Sequence, residues 1–356
     1  MAQLLLILVL LFSCITENVS KDAREKPPKF SAIFYFGDSS LDTGNNGYIP
    51  TLAIAKHYPY GQDFPGNKAT GRFSNGRLVP DFLSAELGLK QFSRPFMDPT
   101  LSDKDILTGA NFASAGSGFD DATSAVTNTI PMSRQLKMFK LYLVRLRKIA
   151  GEEEAVRIVG NALIFISSGT NDFVVSFYDL PNRRGEFNIS EYQNFVLHKV
   201  HNAVKELYSL GARLFCVAGL PPIGCIPLQI TVSRTHHLLD RACVAEQNSD
   251  SIVYNAKLQK LLLKMQQLLS GSKFVYINSY EFLMEILKHP TKYGFRETSR
   301  GCCGTGLTEV GPLCNYLTPT CLNVPSYVFY DAVHPSEKVY RLATDYIMKQ
   351  IISQLE

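Results

Sequence analysis

The chain has 356 residues, 46% of them hydrophobic and 19% charged, with a formal net charge of +4. That is enough apolar material for a large core, which excludes a disordered chain. The charges are interspersed, with no Lys/Arg block or aromatic-interleaved basic stripe, which argues against nucleic acid as a partner.

From the N-terminus, residues 4–12 form an unbroken apolar run, far short of the roughly 20 residues that span a bilayer. The run reads as the core of a secretory signal peptide over residues 1–20, although no Lys or Arg precedes it. Residues 21–29 follow as a flexible leading segment, and residues 30–356 as a single domain. No later stretch reaches membrane-spanning length.

The apolar run 32–36 then breaks into Gly37-Asp38-Ser39. A strand that ends in a sharp turn places Ser39 at its carboxyl end, where ligands bind in open α/β sheets. Downstream, Asn111-Phe112-Ala113-Ser114-Ala115-Gly116-Ser117-Gly118 is a small-residue loop in which Gly116 lets a backbone N–H approach a ligand closely. A second buried-strand run, 162–166, leads into Ser168-Gly169-Thr170-Asn171-Asp172, where Asn171 offers a side-chain amide. Asp38 and Asp172 read as turn-holding residues. Asn188-Ile189-Ser190 is a glycosylation sequon, as is Asn18-Val19-Ser20 in the leader. Ser190 and Gln193 form a capping-box pattern, which puts Asn188 in an exposed loop ahead of a helix.

Helical periodicity predicts helices over 191–210, 252–269 and 337–355, the first two followed by Gly211 and Gly271. Short apolar runs predict strands at 33–36, 163–167, 214–218 and 274–278. This alternation predicts an α/β fold, a parallel sheet covered by helices on both faces.

A serine hydroxyl becomes a nucleophile when a base takes its proton and a third group orients that base. Near the C-terminus the chain offers Asp331-Ala332-Val333-His334, in which the carboxylate can reach the imidazole of the same turn. Asp331 is preferred over Asp38 as the orienter because its reach is local. No Gly-x-Ser-x-Gly occurs, so the nucleophile elbow of the α/β-hydrolases is absent.

Of the eight cysteines, Cys14 leaves with the leader. Cys225, Cys243, Cys302, Cys303, Cys314 and Cys321 sit in loop-like segments suited to disulfides, with the connectivity left open. Cys216 lies in a buried-strand run and is the expected free thiol. A zinc site is the rival reading of Cys302, Cys303, Cys314 and Cys321, and the missing spacer between the first two disfavours it. His198 and His201, and His236-His237, are read as surface or packing residues, so no metal is expected.

These blocks together resemble the Gly-Asp-Ser-Leu (GDSL) esterase/lipase family, the SGNH hydrolases, and specifically its plant branch. The resemblance extends to Asp42-Thr43-Gly44-Asn45-Asn46, Gly71-Arg72-Phe73-Ser74-Asn75-Gly76, Leu220-Pro221-Pro222-Ile223-Gly224-Cys225 and Cys302-Cys303-Gly304-Thr305-Gly306. It implies Ser39 as nucleophile, His334 as base and Asp331 as orienter. It also implies an oxyanion hole from the N–H of Ser39, Gly116 and the Asn171 amide. The implied fold is a three-layer, flavodoxin-like sandwich with a parallel sheet of about five strands, and no cofactor is implied. One departure is Ser40, where the family usually has leucine; altered packing behind the nucleophile is the expected consequence.

The expected activity is hydrolysis of carboxylic esters by a secreted enzyme of the apoplast or cell wall. Lipids, cutin-like polyesters, acetylated sugars and phenolic esters all offer the carbonyl it needs. An acyltransferase using the same acyl-enzyme, and an inactive binding protein on this scaffold, are the alternatives. The segments 48–64 and 119–131 are expected to line the pocket.

Overall fold

The structure, a computed structural model, describes residues 30–233 and 241–355. The leader, the leading segment, the Asn18 sequon, Cys14 and the His236-His237 pair lie outside the described residues. The expected strand runs become β1 (Ile33–Gly37), β2 (Leu163–Ser167), β3 (Leu214–Ala218) and β4 (Lys273–Ile277). They form one parallel sheet in the order β1-β2-β3-β4.

The expected fifth strand is only partly regular. Residues 108–114 run along the free edge of β1, with Tyr35 N donating to Ala110 O at 3.2 Å and Phe112 N to Tyr35 O at 2.8 Å. Ser114 N completes the run by donating to Gly37 O at 2.9 Å. The segment thus fills the fifth position of a flavodoxin-like sheet without strand-like patterning, because it is loop-forming Gly, Asn, Ala and Ser around one aromatic residue, Phe112. At the opposite edge, side-chain amides blunt β4: Gln266 Oε1 accepts from Phe274 N, and Gln354 pairs with both backbone groups of Tyr276.

Buried strands carry apolar side chains on both faces, and alternation sorts them. Phe34, Phe36, Ile164, Ile166, Phe215 and Val217 face one core. Over it lie α2 (Met132–Ala150), α3 (Glu152–Gly160), α4 (Ile189–Ser209) and α5 (Ala245–Leu268). Ile33, Tyr35, Leu163, Phe165, Cys216 and Val275 face the other, beneath α1 (Val79–Glu86) and α7 (Glu337–Leu355). The remaining long helix, α6 (Ser279–Lys288), packs in a smaller cluster with Phe295, Val328 and Val339.

Helix α5 begins several residues before its predicted start. Its first turns bury polar side chains: Asn248 Oδ1 accepts from Gly224 N at 2.9 Å, and Gln247 Nε2 donates to Gln229 Oε1 at 2.8 Å. Hydrophobic periodicity cannot see a face buried by hydrogen bonds. At α4 the expected box is displaced by two residues. Asn188 itself is the cap, its Oδ1 accepting from Glu191 N while Glu191 accepts from Asn188 N. Asn188 is nonetheless exposed.

A small second sheet was not legible in the sequence. Strands β5 (Glu297–Gly301) and β6 (Tyr327–Phe329) pair in parallel just before Asp331. Three disulfides join Cys225 to Cys243, Cys302 to Cys321 and Cys303 to Cys314, and Cys216 is free and buried. The pairing overturns the zinc alternative, since all four of its ligands are consumed as two disulfides. His198 and His201 each contact the Asn202 side chain on the surface of α4. Among the described residues no helix is long and apolar enough to cross a membrane.

Candidate active site

Parallel pairing sets Gly37 level with Ser167, so β1 and β2 deliver their following turns to the same edge of the sheet. Gly37 has φ +144°, and a Cβ there would meet Ser167 O at 1.8 Å, so only glycine lets the chain turn this closely over β2. Gln135 of α2 holds the same residue from the other side. Its Oε1 accepts from Gly37 N and its Nε2 donates to Gly37 O, each at 2.9 Å. The sequence reading missed Gln135. Its signal was an amide on the apolar stripe that runs through Met132, Leu136 and Phe139 of α2.

The turn presents Ser39, whose Oγ lies 2.8 Å from His334 Nε2. His334 Nδ1 lies 2.8 Å from Asp331 Oδ2, and Asp331 is fully buried. The backbone N–H groups of Val333 and His334 both donate to Asp331 Oδ1, so the carboxylate organises its own turn before it reaches the ring. The three expected residues therefore stand in one hydrogen-bonded line, although they come from opposite ends of the chain. The Phe73 ring, from the Gly71–Gly76 block, packs on the imidazole with centroids 4.6 Å apart.

A fourth residue joins from the 48–64 segment. Tyr60 Oη donates to Asp331 Oδ2 at 2.6 Å and accepts from Gly311 N at 2.8 Å. Burial first, and the Asp331 carboxylate second, push the Tyr60 phenol well above its usual pKa, so it stays a donor. Gly311 belongs to the loop closed by Cys303–Cys314. Sequence reasoning had no means of finding Tyr60, because its partners lie more than 250 positions away.

Asp38 acts locally, as expected. Its Oδ1 accepts from Ser40 N and from Ser40 Oγ at 2.8 Å. The hydroxyl that replaces the family leucine therefore binds Asp38 and Ser167 Oγ, and makes no hydrogen bond to Ser39 or His334. Burial raises the Asp38 carboxyl, against the Ser40 hydrogen bonds and the nearby His334.

The donors expected around an oxyanion are tied to this corner. Ser114 N and Ser117 Oγ donate to Gly37 O, and Ala115 N donates to Asp42 Oδ2, so the loop that carries Gly116 is strapped beside the serine turn. Asn45 and Asn46 add straps to Asn111 O, Ala113 O and Ala115 O. Gly116 has φ +80°, and a Cβ there would crowd Thr127 Oγ1 at 3.0 Å. Asn171 Nδ2 donates to Ser117 O at 2.9 Å, leaving its second hydrogen for another acceptor. The backbone N–H groups of Ser39 and Gly116 have no acceptor among the described residues.

Two buried carboxylates brace these turns. Asp42 accepts from Gly44 N, Asn45 N and Ala115 N, and burial pushes it up to about 6. Asp172, next to Asn171, accepts from Thr123 Oγ1, Phe119 N and Asp120 N, and burial pushes it up to about 7.

Ser39, Asn171 and His334 open onto a cavity of about 170 Å³. Its walls are apolar residues from the sheet edge, α6 and α7. The expected lining segments 48–64 and 119–131 do not reach it, and Gly116 also lies outside its lining. The first segment is used to hold Asp331 through Tyr60, and the second is pinned by Asp172. With Ser39 Oγ 2.8 Å from an imidazole nitrogen and N–H groups without acceptors on the neighbouring turns, the arrangement can support attack on a carbonyl and hold negative charge on its oxygen.

Similarity to known proteins agrees with this chemistry. A family model described as GDSL-like Lipase/Acylhydrolase matches residues 33–347. Among curated proteins of Arabidopsis thaliana, GDSL esterase/lipase At2g31550 is 49% identical over 335 residues, covering 94% of this chain and 91% of that protein. GDSL esterase/lipase At2g24560 is 48% identical over 349 residues, covering 98% and 94%, and GDSL esterase/lipase At2g30220 is 48% identical with coverage of 98% and 96%. The chain belongs to the GDSL-like lipase/acylhydrolase family, and it is a carboxylic ester hydrolase.

Proposed function

We propose that the protein is a secreted serine esterase that works through an acyl-enzyme on Ser39. The observation that carries this reading is the line Ser39 Oγ to His334 Nε2 at 2.8 Å and His334 Nδ1 to Asp331 Oδ2 at 2.8 Å. His334 takes the Ser39 proton as the oxygen attacks the ester carbonyl. Asp331 holds the ring so that Nδ1 keeps its proton and Nε2 is the base. The tetrahedral oxyanion is held by the N–H groups of Ser39 and Gly116 and by the Asn171 amide. The imidazolium returns its proton to the leaving alcohol, and water, deprotonated by the same ring, then releases the acid. No cofactor takes part in these steps.

Secretion is supported by the apolar leader run at 4–12 and by three disulfides, which persist in oxidising compartments. On that route Asn188 would carry a glycan on its exposed amide nitrogen, while its Oδ1 goes on capping α4.

Hydrolysis of p-nitrophenyl acetate tests the reading. With substrate in excess and before the steady state, wild type should release nitrophenol in a burst that leaves an acetyl group on the peptide containing Ser39. A burst without that adduct would contradict the mechanism. Added short alcohols would divert the acetyl group to a new ester if transfer competes with hydrolysis.

A further inference from the structure

The cavity below Ser39 has a shape and a chemistry that the reaction at its mouth does not by itself require. One wall is the carboxyl end of the sheet, with Phe165, Ala218 and Ile277. The facing walls are Phe282 and Leu283 of α6 and Ala343 and Ile347 of α7. Ser39, Asn171 and His334 are polar groups at the reacting end. Helix α7 starts three residues after His334 and leads away from it. At 1.5 Å per residue, Ala343 and Ile347 stand about 9 and about 15 Å along it. Ala343 is the smallest residue on this wall, and a larger side chain there would close the space midway.

The volume sets a length. A dry apolar cavity of about 150 Å³ accommodates six carbons as benzene, so about 170 Å³ suits an aliphatic chain of similar carbon count.

We propose that this cavity is the acyl-binding site and that Ala343 and Leu283 gauge its depth, selecting unbranched aliphatic acyl groups of about six carbons. The proposal rests on the esterase reading at Ser39. It disfavours long-chain lipids as acyl donors, whose tails would extend beyond the cavity.

A series of p-nitrophenyl acetate, butyrate, hexanoate, octanoate and dodecanoate, read as kcat/KM, tests it. In wild type each buried methylene should raise kcat/KM by about fourfold up to hexanoate, after which the value should fall. Ala343→Phe should lower the hexanoate value by at least about tenfold, the smaller end of what pocket-filling changes produce, with acetate little changed. Leu283→Ala should move the optimum to a longer chain, and Ala343→Val should give a graded version of the block if the larger side chain prevents folding. A chain-blind profile, an optimum at dodecanoate, or an Ala343→Val loss equal for acetate and hexanoate would overturn the acyl site alone. No hydrolysis of any ester, together with no covalent labelling of Ser39 by a fluorophosphonate, would overturn the esterase reading and the acyl site with it.

Discussion

The two halves of the site are built by different physics. Ser39 and Asn171 follow directly on β1 and β2, and the parallel register that levels Gly37 with Ser167 fixes where their turns emerge. Asp331 and His334 sit in a loop region with little regular structure, held by a two-stranded sheet, two disulfides and Tyr60. The first half is placed by a core that must form for the chain to fold at all. The second is placed by a few specific long-range contacts, so it can be loosened without unfolding the sheet.

Breaking the second half at its centre should have the largest effect. Asp331→Asn keeps the shape but not the charge, and is expected to lower kcat by about 10⁴-fold with little change in KM. On the strand-borne half, Asn171→Ala removes one proposed oxyanion donor and should lower turnover by about 10²–10³-fold. A folded Asn171→Ala protein with an unchanged rate would remove this residue from the site.

Tyr60→Phe separates positioning from catalysis. It leaves Gly311 N without its acceptor and Asp331 without one donor, at a cost of about 1.5–3 kcal/mol for a hydrogen bond to a charged group. If that cost falls on the orientation of His334, kcat should drop by about tenfold or more with KM unchanged. Selective loss of Cys303–Cys314, through paired serine substitutions, should reproduce that drop in kcat while the far-ultraviolet circular dichroism of the sheet domain is retained. Loss of the whole fold instead would show that the two halves are one cooperative unit.

The smallest effect is one of pH. Burial raises Asp42 to about 6 and Asp172 to about 7, from an ordinary value near 3.8. Between those limits the folded chain holds protons that the unfolded chain has released. Stability from these groups is therefore present below pH ~4 and is lost as pH rises towards 7. Asp172→Asn should flatten that part of a plot of Tm against pH, and an unchanged slope would contradict the assignment.

The same contrast explains what could be read from the sequence. All four strands of the main sheet were legible because a buried parallel strand is a continuous apolar run, and Ser39 and Asn171 were legible as residues in the turns that follow two of them. Asp331 and His334 were legible because their contact is local, three residues apart. Tyr60, Gln135 and the Asp42 straps were not, since each acts across a distance that no periodicity records. The fifth strand position and the early turns of α5 were missed for a related reason: they are held by hydrogen bonds rather than by an apolar pattern. The pocket was misplaced because the sequence does not say which loops are consumed in supporting the site and which are left to line it.

The whole mechanism depends on Ser39 being an activated nucleophile. Wild type and Ser39→Ala would be treated with a fluorophosphonate probe and the adduct located by peptide mass spectrometry. The mechanism requires an adduct on Ser39 and none in the folded Ser39→Ala protein. Folded, disulfide-intact wild type that stays unlabelled, or that carries the label elsewhere, would contradict it.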